Sequence, residues 1–481
     1  MLFNSLAFFV FFPLVVALFF ATPPRARWIV LLAASGVFYA WWRPQLLVLL
    51  FVSIAIGYGA GIALARTERE RARSAIVALA VIANMGMLAV FKYAHPAPLR
   101  AIFGAALPVG LSFYTFQTVG YVVDVHRRHY DAERHFGRFA LFVSFFPHLV
   151  AGPIMRGSKL LPQFRETQRW SFDRAASGMG WILWGFFKKV VIADRAGHFV
   201  DAIYGAPDHY QGATVIVATW LFAFQLYGDF SGYSDIAFGA ARVLGFDLMQ
   251  NFDRPFAARS MIDFWRRWHI SFSTWFLDYV YVPLSLLFGR ARTPLLETKR
   301  GRAVRTACVI TIVFLLSGLW HGASGAYVLW GALQAVLVVA TAGIALAWRK
   351  SKIRVSPPLR SLGAAAGVLL TFNLVCLGLA LFRAESLGQV RALFAELPVD
   401  WHVSVFWELT HVGPAPPDAV AIDLGILAFS IVLLEAVQWW LAHRASVRVP
   451  PVVRFVAWPL LCVWVVLAAV QSHAPFIYFA F

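Results

Sequence analysis

Apolar runs long enough to cross a lipid bilayer recur from one end of the sequence to the other. The clearest cover residues 3–22, 45–65, 74–94, 361–381 and 421–442. A helix needs about twenty apolar residues to span the hydrocarbon core. Only 14% of the 481 residues are charged, compared with about 25% in a typical soluble domain. The sequence therefore predicts an all-α polytopic membrane protein, and it excludes a soluble enzyme, a long disordered chain and a secreted disulfide scaffold.

Basic residues cluster between these runs and predict how the chain is oriented. The formal net charge is +18, and Lys and Arg collect in the cytoplasmic loops of membrane proteins. The segments 66–73, 290–305 and 349–360 are strongly basic, so we expect them in the cytoplasm and the N-terminus outside. The acidic segment 384–420 is then extracytoplasmic. This asymmetry accounts for the charge without a nucleic-acid partner.

Residues 306–347 form one apolar stretch between two of these basic segments. The stretch must therefore enter the membrane and return to the same side. This pattern predicts a helical hairpin, with residues 317–322 at its tip.

The middle of the chain, residues 101–288, differs from the flanks because its apolar runs are short and broken by Gly, Pro and charged residues. Broken backbone at membrane depth must be buried in protein or line a cavity. We therefore expect one membrane-embedded domain over residues 1–481. It would comprise N-terminal helices in 1–100, a central catalytic core in 101–347 and C-terminal helices in 348–481.

A first polar cluster occupies residues 229–235 and follows an apolar run. Carboxylates near the membrane interior are costly and usually functional. On a helix Asp229 and Tyr233 share one face, as Ser231 and Asp235 do. This spacing favours the polar wall of a substrate passage. The alternative is that Asp229 or Ser231 caps the start of the next helix at the membrane edge.

A second cluster, Asp263–Phe272, presents two stripes if it is taken as one helix. The polar stripe is Arg266, His269 and Ser273, and the aromatic stripe is Trp265, Trp268 and Phe272. An interfacial helix with its tryptophans in the lipid is one interpretation. The other is a helix whose guanidinium groups bind the anionic part of a substrate while His269 points inwards. The two interpretations are compatible.

His321 ends an otherwise apolar segment. A lone histidine in such a setting is commonly a satisfied core residue. However, a buried imidazole is costly without partners, Ser317 lies one helical turn before it, and Gly322 removes a side chain beside it. An imidazole also accepts a proton near neutral pH. These features favour a general base that activates a hydroxyl group.

Short motifs built around these clusters follow one another along most of the chain. They are Phe38–Arg43, Leu107–Gln117, Phe146–His148 with Ala151–Ile154, Asp229–Asp235, Asn251–Phe256, Phe264–Ser271, Leu319–Gly322 and Leu381–Ala384. With these eight motifs in order, the chain resembles the membrane-bound O-acyltransferase family. Within that family it is most similar to the branch of bacterial alginate O-acetyltransferase membrane subunits.

The resemblance implies a fold and a reaction. The family fold is a ring of about 11 transmembrane helices, with short re-entrant and interfacial helices, around a central tunnel. The resemblance implies a multi-pass protein of the bacterial cytoplasmic (inner) membrane, in contact with lipids. Its donor would be a cytoplasmic thioester, acetyl-CoA or an acyl carrier, with no cofactor bound permanently. The acetyl group would pass to a separate extracytoplasmic partner of the SGNH type, which acetylates an exopolysaccharide such as alginate.

The motif positions imply which residues form the site. The near-invariant histidine of the family matches His321, the expected general base, and a second motif histidine matches His269. The candidate substrate-binding residues are Tyr114, Gln117, Asp229, Ser231, Tyr233, Asp235, Asn251, Trp265, Arg266, Arg267, Trp268, Ser271, Ser317 and Trp320. No metal site is predicted, because no Cys/His spacing typical of zinc occurs.

Other functions stay open at this stage. The acceptor could be another envelope polymer, namely cellulose, peptidoglycan or teichoic acid, the last with D-alanine as the acyl group. Outside the enzyme class, intramembrane Asp, Arg and His side chains could line the path of a transporter. No internal repeat supports a transporter. A purely structural scaffold of a polysaccharide-export complex is the third alternative.

Overall fold

The computed structural model describes residues 1–94, 96–103, 108–150, 152–210, 212–290, 298–351, 356–384, 386–397, 405–443, 451–470 and 476. Within these residues every regular element is a helix. Eight helices there are long and apolar enough to cross a membrane: Leu46–Arg66, Glu70–Ala94, Gly212–Val243, Ile270–Gly289, Lys299–His321, Gly325–Ser351, Pro357–Arg383 and Pro417–His443. Leu6–Ala21 and Val456–Ala468 are shorter apolar helices. The predicted all-α polytopic class is confirmed.

The chain forms two compact units, and the first comprises residues 1–186 and 230–251 together with Phe476. Its α-helices are Leu6–Ala21, Arg27–Ala40, Leu46–Arg66, Glu70–Ala89, Ala97–Phe103, Leu111–His126, Phe136–Ser144, Phe146–Leu149, Gly157–Leu160, Phe172–Phe186 and the C-terminal part of Gly212–Val243. Short 3-10 turns at Pro24–Ala26 and Pro162–Phe164 and a π-helix at Val90–Ala94 connect or extend them. The helices at 6–21 and 46–66 match the apolar runs at 3–22 and 45–65 closely.

A buried arginine fixes two helix ends within the first unit. Arg73 is only 5% exposed. Its guanidinium donates hydrogen bonds to the carbonyl oxygens of Leu64 and Thr67, and also to those of Val125 and His126. These carbonyls lie at the C-terminal ends of Leu46–Arg66 and Leu111–His126, where helices leave acceptors unpaired and carry partial negative charge. The cation therefore satisfies both ends at once.

The second unit comprises residues 187–229 and 252–470. Its α-helices are Asp194–Gly205, the N-terminal part of Gly212–Val243, Met261–Arg267, Ile270–Phe276, Val282–Arg290, Lys299–His321, Gly325–Ser351, Pro357–Arg383, Leu387–Glu396, Val405–Thr410, Pro417–His443 and Pro451–Ala468. It also contains π-helices at Phe187–Ala193 and Leu277–Tyr281 and 3-10 turns at Pro207–His209 and Pro255–Ala257. The family ring, its tunnel and the division at residues 100 and 347 stay predictions.

The predicted helical hairpin is confirmed in the second unit. Its first helix is Lys299–His321 and its second is Gly325–Ser351. A Cβ at Gly318 would lie 2.3 Å from the carbonyl oxygen of Tyr327, and one at Gly331 would lie 2.5 Å from that of Phe314. Two backbones approach this closely only where side chains are missing, as is common between membrane helices. The glycines therefore set the spacing of the hairpin.

The polar cluster at 229–235 lies inside a helix and not at its start. Gly212–Val243 runs unbroken for 32 residues, so the interpretation of Asp229 or Ser231 as a helix cap is wrong. The helix continues through the polar cluster because the residues directly before and after it, 226–228 and 236–237, are buried by packing. The segment we expected to be broken thus contains one of the longest helices of the chain.

Candidate active site

His321 is enclosed by aromatic rings. It is the last residue of the first hairpin helix and is 6% exposed. Its ring centroid lies 4.5 Å from that of Trp320, 5.2 Å from that of Trp330 and 4.8 Å from that of Phe382. The hairpin and the helix Pro357–Arg383 therefore hold the imidazole from three sides. Ser317 precedes it by one turn and is also buried, and its substrate-binding role stays a prediction.

His269 lies at a break between two short helices, Met261–Arg267 and Ile270–Phe276. Its backbone adopts the left-handed conformation, with φ 42° and ψ 55°. Its carbonyl accepts hydrogen bonds from the amides of Phe272 and Ser273 and so begins the second helix. A non-glycine residue in this region is strained, and such strain clusters at functional sites.

The break contradicts one sequence prediction. Arg266, His269 and Ser273 were expected to form one stripe of a continuous helix, and that prediction is wrong. The left-handed residue turns the chain, so the helical spacing does not continue past residue 268. Ser273 instead donates a hydrogen bond from its hydroxyl to the carbonyl of Trp268.

One phenylalanine contacts both histidines. The ring centroid of Phe272 lies 5.0 Å from that of His269 in a stacked arrangement and 6.4 Å from that of His321. Trp320 lies 4.5 Å from the same ring, and Ser271 beside it is fully buried. The two histidines predicted to act together therefore share one aromatic cluster of the second unit.

The two tryptophans before His269 pack against different neighbours. Trp265 packs on Trp330, with centroids 6.0 Å apart, and so joins the cluster around His321. Trp268 is buried against Phe252 and Phe264.

The two arginines before His269 differ in exposure and in their partners. Arg266 is exposed, whereas the Arg267 Nε donates a hydrogen bond of 2.8 Å to Asp263 Oδ1. Arg267 also lies within 3.9 Å of a carboxylate oxygen of Asp253. The role of either arginine toward a substrate stays a prediction.

Asp229 belongs to a buried group of three charges in the second unit. Lys189 Nζ lies 2.7 Å from Asp194 Oδ1 and 2.6 Å from Asp229 Oδ1. The three side chains are at most 3% exposed. Buried charges persist only when they are paired. The carboxylate of Asp229 thus holds a lysine, and its predicted contact with a substrate stays a prediction.

The other residues of that cluster lie in the first unit. Tyr233 is buried between Phe3 and Phe476. Ser231 is fully buried and Asp235 is partly exposed. Asn251 donates a hydrogen bond of 3.3 Å from its amide to the hydroxyl of Ser234.

Tyr114 and Gln117 are also in the first unit, on the buried helix Leu111–His126. Tyr114 packs edge-on against Tyr39, and the Gln117 amide donates to the carbonyl of Phe142. Both side chains therefore have internal partners. Their predicted substrate contacts stay predictions, because the aromatic cluster with His321 belongs to the second unit.

Sequence reasoning missed Trp330 and did not single out Phe382 as part of the site. Both lie in apolar helices, where an aromatic side chain looks like any other core residue. The signal that could have found Phe382 is its place in the motif Leu381–Ala384. Among the described residues, no group of three or more His, Cys, Asp or Glu side chains could hold a metal ion.

The segment that contains both histidines is similar to a known protein family. The model of the membrane-bound O-acyltransferase family matches residues 131–381, which include both His269 and His321. The chain belongs to the membrane-bound O-acyltransferase family. It is 32% identical to a protein of Azotobacter vinelandii named "Probable alginate O-acetylase AlgI", over the full length of both chains. The family membership confirms the resemblance seen in the motifs.

Two further relatives show the range of this similarity. A "Probable alginate O-acetylase AlgI" of Pseudomonas fluorescens is 36% identical over 94% of this chain and 86% of its own. A "Peptidoglycan O-acetyltransferase" of Helicobacter pylori is 31% identical over 75% of this chain and 71% of its own. The relatives named as acetylating enzymes therefore differ in the polymer that their names give.

Proposed function

We propose that this membrane acyltransferase takes an acetyl group from a cytoplasmic thioester, acetyl-CoA, and passes it to an extracytoplasmic acceptor for O-acetylation of an exopolysaccharide such as alginate. The observation that carries the proposal is the aromatic cluster that joins His269 to His321 within the segment matched by the family model. The names of these relatives support acetyl as the group and an envelope polymer as its destination.

His321 is the proposed general base. It accepts the proton of the acceptor hydroxyl while that oxygen attacks the carbonyl carbon of the thioester. The new C–O bond forms, the C–S bond breaks, and the proton passes to the leaving thiolate. General-base help of this kind accelerates a reaction by about 10²–10⁴-fold. The surrounding rings exclude water, which favours transfer to the acceptor over hydrolysis.

His269 is proposed to stabilise the oxyanion that forms on the thioester carbonyl. A preorganised donor in a water-poor site is effective because it does not reorient during the reaction. The stack on Phe272 holds the ring in one orientation. The basic segments predicted to face the cytoplasm would attract the phosphates of CoA. A separate SGNH-type partner would complete the transfer to the sugar.

The proposal is tested with His321→Ala in membranes supplied with labelled acetyl-CoA. We expect thiol release and label transfer to fall by about 10²–10⁴-fold, because the base is lost. His198→Ala is the control, since His198 is an exposed histidine of the same unit. Wild-type transfer by the His321 variant would reject the base assignment. If the wild type moved acetyl-CoA across the membrane without releasing the thiol, a transporter would be favoured. If the wild type showed neither transport nor thiol release, a scaffold would be favoured.

A further inference from the structure

A buried glutamine lies one helical turn from Trp330, one of the aromatic residues that enclose His321. Gln334 is 3% exposed and follows Trp330 by one turn on the second hairpin helix. A Cβ at Gly378 would lie 2.4 Å from Gln334 Nε2 and 3.6 Å from Trp330 Nε1. Any side chain at residue 378 would therefore displace the amide. The glycine makes room for a polar group in the apolar interior of the second unit.

Two polar atoms beside Trp330 are buried and unsatisfied by the part of the chain that the structure describes. Gln334 Oε1 accepts no hydrogen bond there, and Trp265 Nε1 donates none. Trp265 packs on the same Trp330 ring. A buried polar atom without a partner costs free energy, so native proteins rarely retain one without a reason. One acceptor and one donor are what a secondary amide, with its N–H and C=O groups, would satisfy.

Gln334 lies on the side of His321 from which a cytoplasmic thioester donor would approach. Trp330 and Phe382 contact His321. Gln334 lies one turn beyond Trp330, and Gly378 lies one turn before Phe382. Each is therefore nearer than its aromatic neighbour to the basic helix end that we predict in the cytoplasm. One turn is about 5.4 Å. In a pantetheine thioester the first amide is separated from the sulfur by two methylene groups, on the cytoplasmic side of the reacting carbonyl.

We propose that Gln334 and Trp265 bind the pantetheine arm of the acyl donor by accepting from and donating to one of its amides. This inference rests on the proposed function, because it places the thioester beside His321. Pantetheine is common to CoA and to acyl carrier proteins. Gln334 and Trp265 are thus positioning residues that select a donor with an amide-bearing arm.

The test compares three donors with the wild type and with Gln334→Leu. Acetyl-CoA and S-acetylpantetheine carry the amides, whereas S-ethyl thioacetate has none. We expect the substitution to lower kcat/KM about tenfold for the first two, mainly through KM, as for one lost hydrogen bond. We expect no change for the amide-free donor. Trp265→Phe keeps an aromatic ring and removes the N–H, and it should give the same donor-dependent loss.

Gln438→Leu is the matched control. Gln438 is a buried glutamine of the same unit, and its Oε1 accepts a hydrogen bond from the Tyr227 hydroxyl. Its loss should affect all three donors alike. An equal loss on all donors in both the Gln334 and Trp265 variants would overturn the inference and leave the proposed function intact. A wild type inactive on every donor would overturn the proposed function itself. Acetylated carrier protein, compared with acetyl-CoA on the wild type, identifies the source of the arm.

Discussion

At the scale of single residues, His269 combines a side-chain position with an unusual backbone. The left-handed conformation costs most residues about 1–2 kcal/mol, whereas Asn and Gly adopt it more readily. A substitution by alanine therefore changes two things at once. It removes the imidazole from its stack on Phe272, and it leaves a strained backbone without that packing.

We expect His269→Asn to separate these effects. Asn tolerates the backbone, so the melting temperature should stay closer to that of the wild type than in His269→Ala. Turnover should fall about 10²-fold or more in both variants, because the imidazole proposed to stabilise the oxyanion is missing. Thermal unfolding and acetyl transfer would be measured on the same preparations. Full turnover in the Asn variant together with an inactive Ala variant would assign the residue to backbone geometry alone.

At the scale of elements, the hairpin places His321 through its glycines. Gly318 and Gly331 let the two helices touch backbone to backbone. Trp330, which contacts His321, directly precedes Gly331. The orientation of the imidazole therefore depends on the distance between the helices, and a side chain at either glycine should move it out of register with Phe382.

We expect Gly331→Val to abolish acetyl transfer while the protein still inserts into the membrane, since overpacking typically costs about 1–3 kcal/mol. Gly343→Ala is the control on the same helix, because a Cβ there meets nothing within 4 Å. Its activity should equal that of the wild type. Wild-type activity of Gly331→Val would show that the helix spacing does not position the histidine.

The sequence predicts helices better than it predicts how they meet. Apolar runs place helices well: the run at 45–65 corresponds to Leu46–Arg66. The break at His269 escapes prediction because helical spacing continues through it and no Gly or Pro marks it. The contact of Trp330 with His321 depends on the register of the hairpin, which the spacing of residues within either helix does not determine. The two histidines were found from their motifs, and Phe272 was named in the aromatic stripe, but only the structure places its ring between them.

At the scale of the whole molecule, the basic segments predict one orientation in the membrane. The segment around residue 68 is expected in the cytoplasm and that around residue 415 outside, as the positive-inside rule implies. Both residues are exposed in the structure. The proposed transfer of an acetyl group across the membrane requires this arrangement.

We test it with Glu68→Cys and Ala415→Cys in a background where Cys308, Cys376 and Cys462 are replaced by serine. A membrane-impermeant maleimide applied to intact cells should label the variant at 415 and spare the one at 68. Permeabilised cells should label both, which checks that each thiol is reachable. The reverse labelling pattern would show that the topology is inverted, which would contradict the expected orientation.

The buried ion group described above also bears on how the protein is made. Lys189 and Asp194 are only five residues apart and can pair as soon as both are made. Asp229 follows Lys189 by 40 residues and lies within the helix Gly212–Val243. A lone carboxylate in a membrane helix opposes its entry into lipid, so we expect residues 212–243 to insert beside residues 187–194, where Lys189 is already in place.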